Sequence, residues 1–213
     1  MAWFSSHGSR ESGASKAPPG AADMHRSLGL AALLEGLAGA GKVQVLDLGS
    51  AVGSNVDYLA RFGCKLYIED LYAAISARGA VTPGGTRLSP TFFAESLSFA
   101  PDTRFDAVLA WDLFNYLERQ ELAELALYLA PFCRPGALLL SLIAIGKQMP
   151  QQPLRFRIVD PQTLAYEQHS RAERPCPRYA LYELSELMRG FRLSRSFLMR
   201  HGIQEYLFQR LPD

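Results

Sequence analysis

The most constraining stretch of the chain is Val43 to Gly53, VQVLDLGSAVG, a short apolar run that carries one acid and ends in a turn with two glycines. An apolar run of this length is the mark of a strand buried on both faces, as in a parallel sheet covered by helices. The turn SAVG then leads into a helical stretch, Asn55 to Arg61. Ligands of open parallel sheets bind at the carboxyl ends of the strands, and Gly49 and Gly53 let the backbone approach one there. Position 51 is Ala, so the G-x-G-x-x-G pattern of a dinucleotide site is incomplete and NAD is disfavoured. No Gly-Lys-Ser/Thr follows the turn, which leaves a nucleoside triphosphate loop without support. Asp47 is a lone acid in an apolar strand and needs partners if it is buried.

Short apolar runs recur at Lys65 to Ile68, Thr91 to Ala94, Phe105 to Trp111 and Ala137 to Ile145. Helical stretches separate them, among them Glu118 to Leu129, with Leu122, Leu125, Ala126 and Leu129 on one face. Repeated strand and helix units of this size predict a parallel sheet with helices on both faces. Near the end, Phe191 to Met199 and Ile203 to Leu211 alternate apolar and polar residues around Arg200-His201-Gly202, the pattern of an antiparallel hairpin. The alternation and the hairpin together predict a doubly wound α/β fold. Its sheet has seven strands in the order 3-2-1-4-5-7-6, mostly parallel, with strand 7 antiparallel.

The 213 residues suit one folded unit and a tail. Fifteen of residues 1–23 are Ala, Gly, Ser or Pro, too few large apolar groups to offset the entropy of ordering. The expected division is a disordered tail, 1–23, and a domain, 24–213. Asp23 is the expected cap of a helix through Leu28, Leu30, Leu33, Leu34 and Leu37. A secretory signal and a membrane span are both missing from the pattern, so a cytoplasmic protein is expected. Net charge is +1, and the tilt between residues 1–146 (−3) and 147–213 (+4) is mild, which gives no strong sign of nucleic acid or membrane. Cys64, Cys133 and Cys176 form no disulfide framework or CxxC pair, and His7, His25, His169 and His201 have no ligand spacing; no metal is expected.

The glycine turn resembles the first motif of class I S-adenosylmethionine-dependent methyltransferases, acid-x-Gly-x-Gly-x-Gly, with Ala51 at the middle glycine. Three further segments fall in register. Glu69-Asp70 closes the second strand, FDAVLAWDLFNYL is similar to the fourth strand and the start of the next helix, and FCRPGALLLSLI is similar to the segment before and into the fifth. The resemblance implies a Rossmann-like methyltransferase with S-adenosyl-L-methionine as cofactor. It places the cofactor at Asp47, Gly49, Ser50, Gly53, Glu69, Asp70, Leu71, Glu95, Ser96, Trp111 and Asp112. The acid after strand two takes the ribose hydroxyls in this family; Asp70 is the first choice and Glu69 the alternate. The acid that receives the adenine amino group is either shifted to Glu95 or absent.

Methyl transfer is an in-line displacement that needs orientation and a dry site more than a nucleophile of the enzyme's own. Where the acceptor is a hydroxyl or ammonium a base helps, and Asp112, Tyr116 and His201 are the candidates at the carboxyl edge. Residues 147–178 hold five prolines and six basic groups and read as a substrate cover in which Arg155, Arg174 or Arg178 receives an anionic part of a small molecule. Asn-Pro-Pro-Tyr is absent, so Asp112-Leu113-Phe114-Asn115-Tyr116 is more like the small-molecule branch. The rival expectation is a non-catalytic binding or scaffold protein on the same fold.

Overall fold

The computed structural model describes residues 23–78, 88, 90–97, 99–199 and 202–212. In chain order the elements are β1 (Asp23–Arg26), α1 (Leu28–Leu37), β2 (Gln44–Asp47), α2 (Gly53–Ala60), β3 (Lys65–Ile68), α3 (Leu71–Ala77), α4 (Pro90–Ser96), β4 (Phe105–Trp111) and α5 (Arg119–Leu129). They continue with β5 (Cys133–Ala144), β6 (Gln148–Pro150), β7 (Arg155–Asp160), β8 (Thr163–Glu167), β9 (Glu173–Pro175), α6 (Leu181–Leu187), β10 (Phe191–Leu198) and β11 (Ile203–Arg210). No described helix is long and apolar enough to cross a membrane.

The main sheet has the order β10-β11-β5-β4-β2-β3. The pairs β2–β3, β2–β4 and β4–β5 are parallel, and β11 runs antiparallel to both β5 and β10. Six strands are described where seven were expected. The missing one is Thr91 to Ala94, which lies inside α4. Its Thr-Phe-Phe-Ala run suits a strand locally, but Pro90 opens a first helical turn, and Phe92, Phe93 and Leu97 are buried in the core. Tertiary packing overrides local β preference here.

Successive residues of β4 face opposite sides of the sheet, and the core is split accordingly. Val108 and Ala110 join Leu122, Leu125 and Leu129 of α5 on one side. Ala107, Leu109 and Trp111 join Leu30, Leu33 and Leu34 of α1 on the other. Each fully buried leucine contributes about 1.5–3 kcal/mol. The expected cap of α1 is corrected: Asp23 opens β1, and Ser27 is the N-cap, its Oγ accepting from Leu30 N at 3.1 Å. Buried Glu205 of β11 supports that turn, accepting from Gly29 N at 2.6 Å and from Ser27 Oγ.

Residues 147–178 are built of strands. β6 pairs antiparallel with β9 in a two-stranded sheet, while β7 pairs antiparallel with β8 and β8 with β1 in a separate three-stranded sheet. Phe156, Ile158 and Leu164 pack it into the α1 side of the core.

Candidate cofactor and acceptor site

A cavity of about 360 Å³ opens at the carboxyl ends of β2, β3 and β4 and is closed on its far side by the insertion. Its lining includes Gly49 and Ser50 from the glycine turn, Asp70 and Tyr72 from the end of β3, and Trp111 and Asp112 from the end of β4. The insertion supplies Gln152, Leu154, Arg155, Phe156 and His169. This volume is within the roughly 300–1,000 Å³ of small-molecule pockets.

Asp70 reaches the cavity because it ends the β3 connection as the N-cap of α3, where Oδ1 accepts from Ala73 N at 2.9 Å. Glu69 is half-buried, which raises its pKa, and it lies outside the lining. Leu71 is buried in the core. Glu95 and Ser96 are on α4 and do not line the cavity; Glu95 is exposed, with Arg78 Nη2 3.9 Å from its carboxylate. Gly53 opens α2 with free space where a Cβ would stand. Gly49 differs: an added Cβ would be 2.7 Å from Trp111 Cδ1, so the space beside this glycine belongs to the indole.

Trp111 has a φ of 47°, left-handed for a bulky residue, a conformation that costs ~1–3 kcal/mol and persists only where neighbours impose it. Two neighbours and a shift in strand pairing meet there. Nε1 donates to Asp47 Oδ1 at 2.6 Å, the indole lies flat on Phe156 with ring centroids 5.4 Å apart, and the register of β4 against β5 shifts between Leu109 and Trp111. Asp47 is 1% exposed and also accepts from Gly49 N at 2.9 Å; burial is the main cause of its pKa rising to about 6, against these two bonds.

Asp112 is buried, and Oδ2 accepts from Leu154 N at 2.9 Å; burial pushes its carboxyl up to about 7. The Tyr116 hydroxyl donates to Pro150 O at 3.1 Å, and burial raises its pKa far out of the range of a base. Arg174 stands over the Tyr116 ring, 5.7 Å from its centroid, and Arg178 is exposed with a φ of 50°; neither lines the cavity. Arg155 does, with Nη2 3.5 Å from Ala51 O. His201 lies outside the described residues. Among the described residues no cluster of metal-binding side chains occurs.

Two positions at or behind the cavity carry no clear mark in the sequence. His169 reaches the cavity from the insertion, an approach that depends on a fold of the insertion no motif announces. Asn55 is 2% exposed, its Nδ2 donating to Phe156 O at 3.0 Å and its Oδ1 accepting from Ile158 N at 2.8 Å. Its one mark in the sequence is a polar residue two places after Gly53, at the first turn of the helix that follows the glycine turn.

No protein-family model and no curated protein matches the sequence. Solved structures do align with it. One, from work on conversion of a disulfide bond into a thioacetal group during echinomycin biosynthesis, is 20% identical, with 87% of this chain and 82% of that one covered at a TM-score of 0.50. The Burkholderia thailandensis 1,6-didemethyltoxoflavin-N1-methyltransferase, solved with bound 1,6-didemethyltoxoflavin and S-adenosylhomocysteine, is 17% identical over 86% of this chain and 77% of that one, TM-score 0.48. The N-methyltransferase NodS of Bradyrhizobium japonicum, also solved with S-adenosylhomocysteine, is 15% identical over 86% of each chain, TM-score 0.47. The main sheet and the first of these likenesses show a Rossmann-like α/β fold, and S-adenosylmethionine-dependent methyltransferases of class I are many among the structures that align with it.

Proposed function

We propose that this chain is an S-adenosylmethionine-dependent methyltransferase acting on a small molecule. The observation that carries the reading is the meeting, in one cavity, of the glycine turn, the strand-end acid Asp70 and the buried acid Asp112. The cofactor fits this set: Asp70 has a second carboxylate oxygen to offer ribose hydroxyls, and the Gly49-Ser50 backbone borders the same space. When bound, it supplies an electrophilic methyl group on a sulfonium.

The chain's part is to orient the acceptor and to take its proton. Phe156, Leu154 and Pro153 exclude water from the insertion side. Asp112 is the proton acceptor: with Oδ2 engaged by Leu154 N, its other oxygen takes the proton of an acceptor O–H or N–H. Because burial places this carboxyl at about 7, it is competent above that pH and silent below it. Arg155 at the rim is placed to hold an anionic part of the acceptor.

Calorimetric titration of the full chain with S-adenosylmethionine tests the first half, and binding is expected. A screen of small metabolites for methyl uptake tests the second. A chain that binds the cofactor yet methylates nothing in a broad screen fits the scaffold alternative, and one that does not bind it is no methyltransferase.

A further inference from the structure

The acid at the end of β2 lies beside the glycine turn, where a direct role toward the cofactor is the obvious assignment. The geometry points to a different one: Asp47 is a positioning residue that acts through Trp111, holding the indole against the glycine turn and the inserted sheet rather than touching the cofactor. The inference rests on the reading of the cavity as a cofactor site.

Both groups that donate to Asp47 Oδ1, Gly49 N and Trp111 Nε1, belong to residues that line the cavity, while Asp47 does not line it. The carboxylate is behind its own donors, and Asp47 as a whole is 1% exposed. The indole it holds occupies the space a side chain at position 49 would need, so the bare turn at Gly49 serves the tryptophan. The opposite side of the arrangement is fixed as well. Phe156 lies on the indole at an interplanar angle of 6°, and Asn55 holds the backbone at Phe156 and Ile158. The left-handed backbone at Trp111 is a conformation that persists only where neighbours hold it, and the Asp47 bond and the Phe156 stack both hold the indole. Asp47 thereby sets the shape of the cavity wall by hydrogen bonding, and its negative charge has no part in binding.

Conservative replacement separates the two roles. An amide at this position still accepts from both donors but carries no charge, whereas Ala accepts from neither. The probe is S-adenosylhomocysteine, titrated calorimetrically into the full chain, with Trp111 emission read in a Trp3→Phe background as the second readout. Asp47→Asn should bind within about threefold of the parent and keep its emission. Asp47→Ala should bind at least about tenfold more weakly, with emission shifted to longer wavelength as the indole is released to water. Loss of a direct charged bond to the ligand is worth roughly ten- to a hundredfold, so a loss of that size in Asp47→Asn overturns the inference. If Asp47→Ala fails to fold, Trp111→Phe replaces it: the ring stays and its N–H is lost, and affinity at the parent's value overturns the inference too. A parent that does not bind overturns the cofactor reading itself, and with it this inference; a parent that binds beside a crippled Asp47→Asn overturns the inference alone.

Discussion

Replacing Asp112 by Asn should stabilise the protein above neutral pH and leave it unchanged near pH 4. Asp112 is 6% exposed, and burial raises its carboxyl from 3.8 to about 7 against the opposing bonds from Leu154 N and its own backbone. A raised carboxyl means that the folded state keeps its proton where the unfolded chain has released it. Stability due to this group is therefore full below about pH 4, falls as pH rises between 3.8 and about 7, and is lost above that window. At ~1.36 kcal/mol per pH unit the span amounts to roughly 4 kcal/mol, an upper bound because water reaching an ionised carboxylate lowers its cost. The amide keeps an oxygen for Leu154 N and has no charge to desolvate. Urea unfolding of parent and Asp112→Asn at pH 4.5, 6 and 8, with equal slopes verified, yields the difference directly. Asp47 and Glu205 are raised too, but they are common to both proteins and cancel. A difference independent of pH, or one that shrinks as pH rises, refutes the reasoning.

Asp70→Ala should weaken S-adenosylhomocysteine binding roughly ten- to a hundredfold, while Glu69→Ala, outside the cavity lining, should change it less than about twofold in the same calorimeter. Asn55→Ala strands the carbonyl of Phe156 and the N–H of Ile158 in a buried interface, at about 1–3 kcal/mol for each, measurable as a lower urea midpoint. Gly49→Ala puts a Cβ 2.7 Å from Trp111 Cδ1 and should cost about 1–3 kcal/mol, with altered Trp111 emission in the Trp3→Phe background.

The main sheet was legible wherever local pattern and global packing agree. The β2 run and the Leu122 to Leu129 face bury the apolar residues of their pattern, and β10 pairs antiparallel with β11 as the hairpin pattern says, although Glu205 is buried and Leu198 exposed against the alternation. Thr91 to Ala94 was misread because two adjacent phenylalanines satisfy a strand pattern and a buried helix face alike, and only the surroundings distinguish them. Residues 147–178 look like a proline-rich cover in the sequence, since Pro150 and Pro175 hide the short pairing of β6 with β9. The site was legible as residue types and not as partnerships. Asp70 reaches the cavity, but nothing in the chain's order tells that Tyr116 is tied to Pro150 or that Arg174 covers a tyrosine ring.

Those partnerships bear on whether the insertion moves. Side chains of the main fold take four backbone groups between residues 150 and 158: Tyr116 the carbonyl of Pro150, Asp112 the N–H of Leu154, and Asn55 the carbonyl of Phe156 with the N–H of Ile158. A lid that lifts must break such bonds and uncover Phe156 and Ile158, both 3% exposed. Strand 155–160 is therefore expected to be a fixed wall, with exchange of small molecules past the exposed rim at Gln152, Arg155 and His169. Amide hydrogen exchange checks this, because a lid opens locally at low free energy whereas a wall opens with the whole fold. The N–H groups of Leu154 and Ile158 should exchange as slowly as those of Val108 and Leu109 in β4, and addition of urea should release both sets together. Exchange of Leu154 and Ile158 more than about a hundredfold faster than β4, a gap of roughly 2.7 kcal/mol in opening free energy, would mark the insertion as a lid after all.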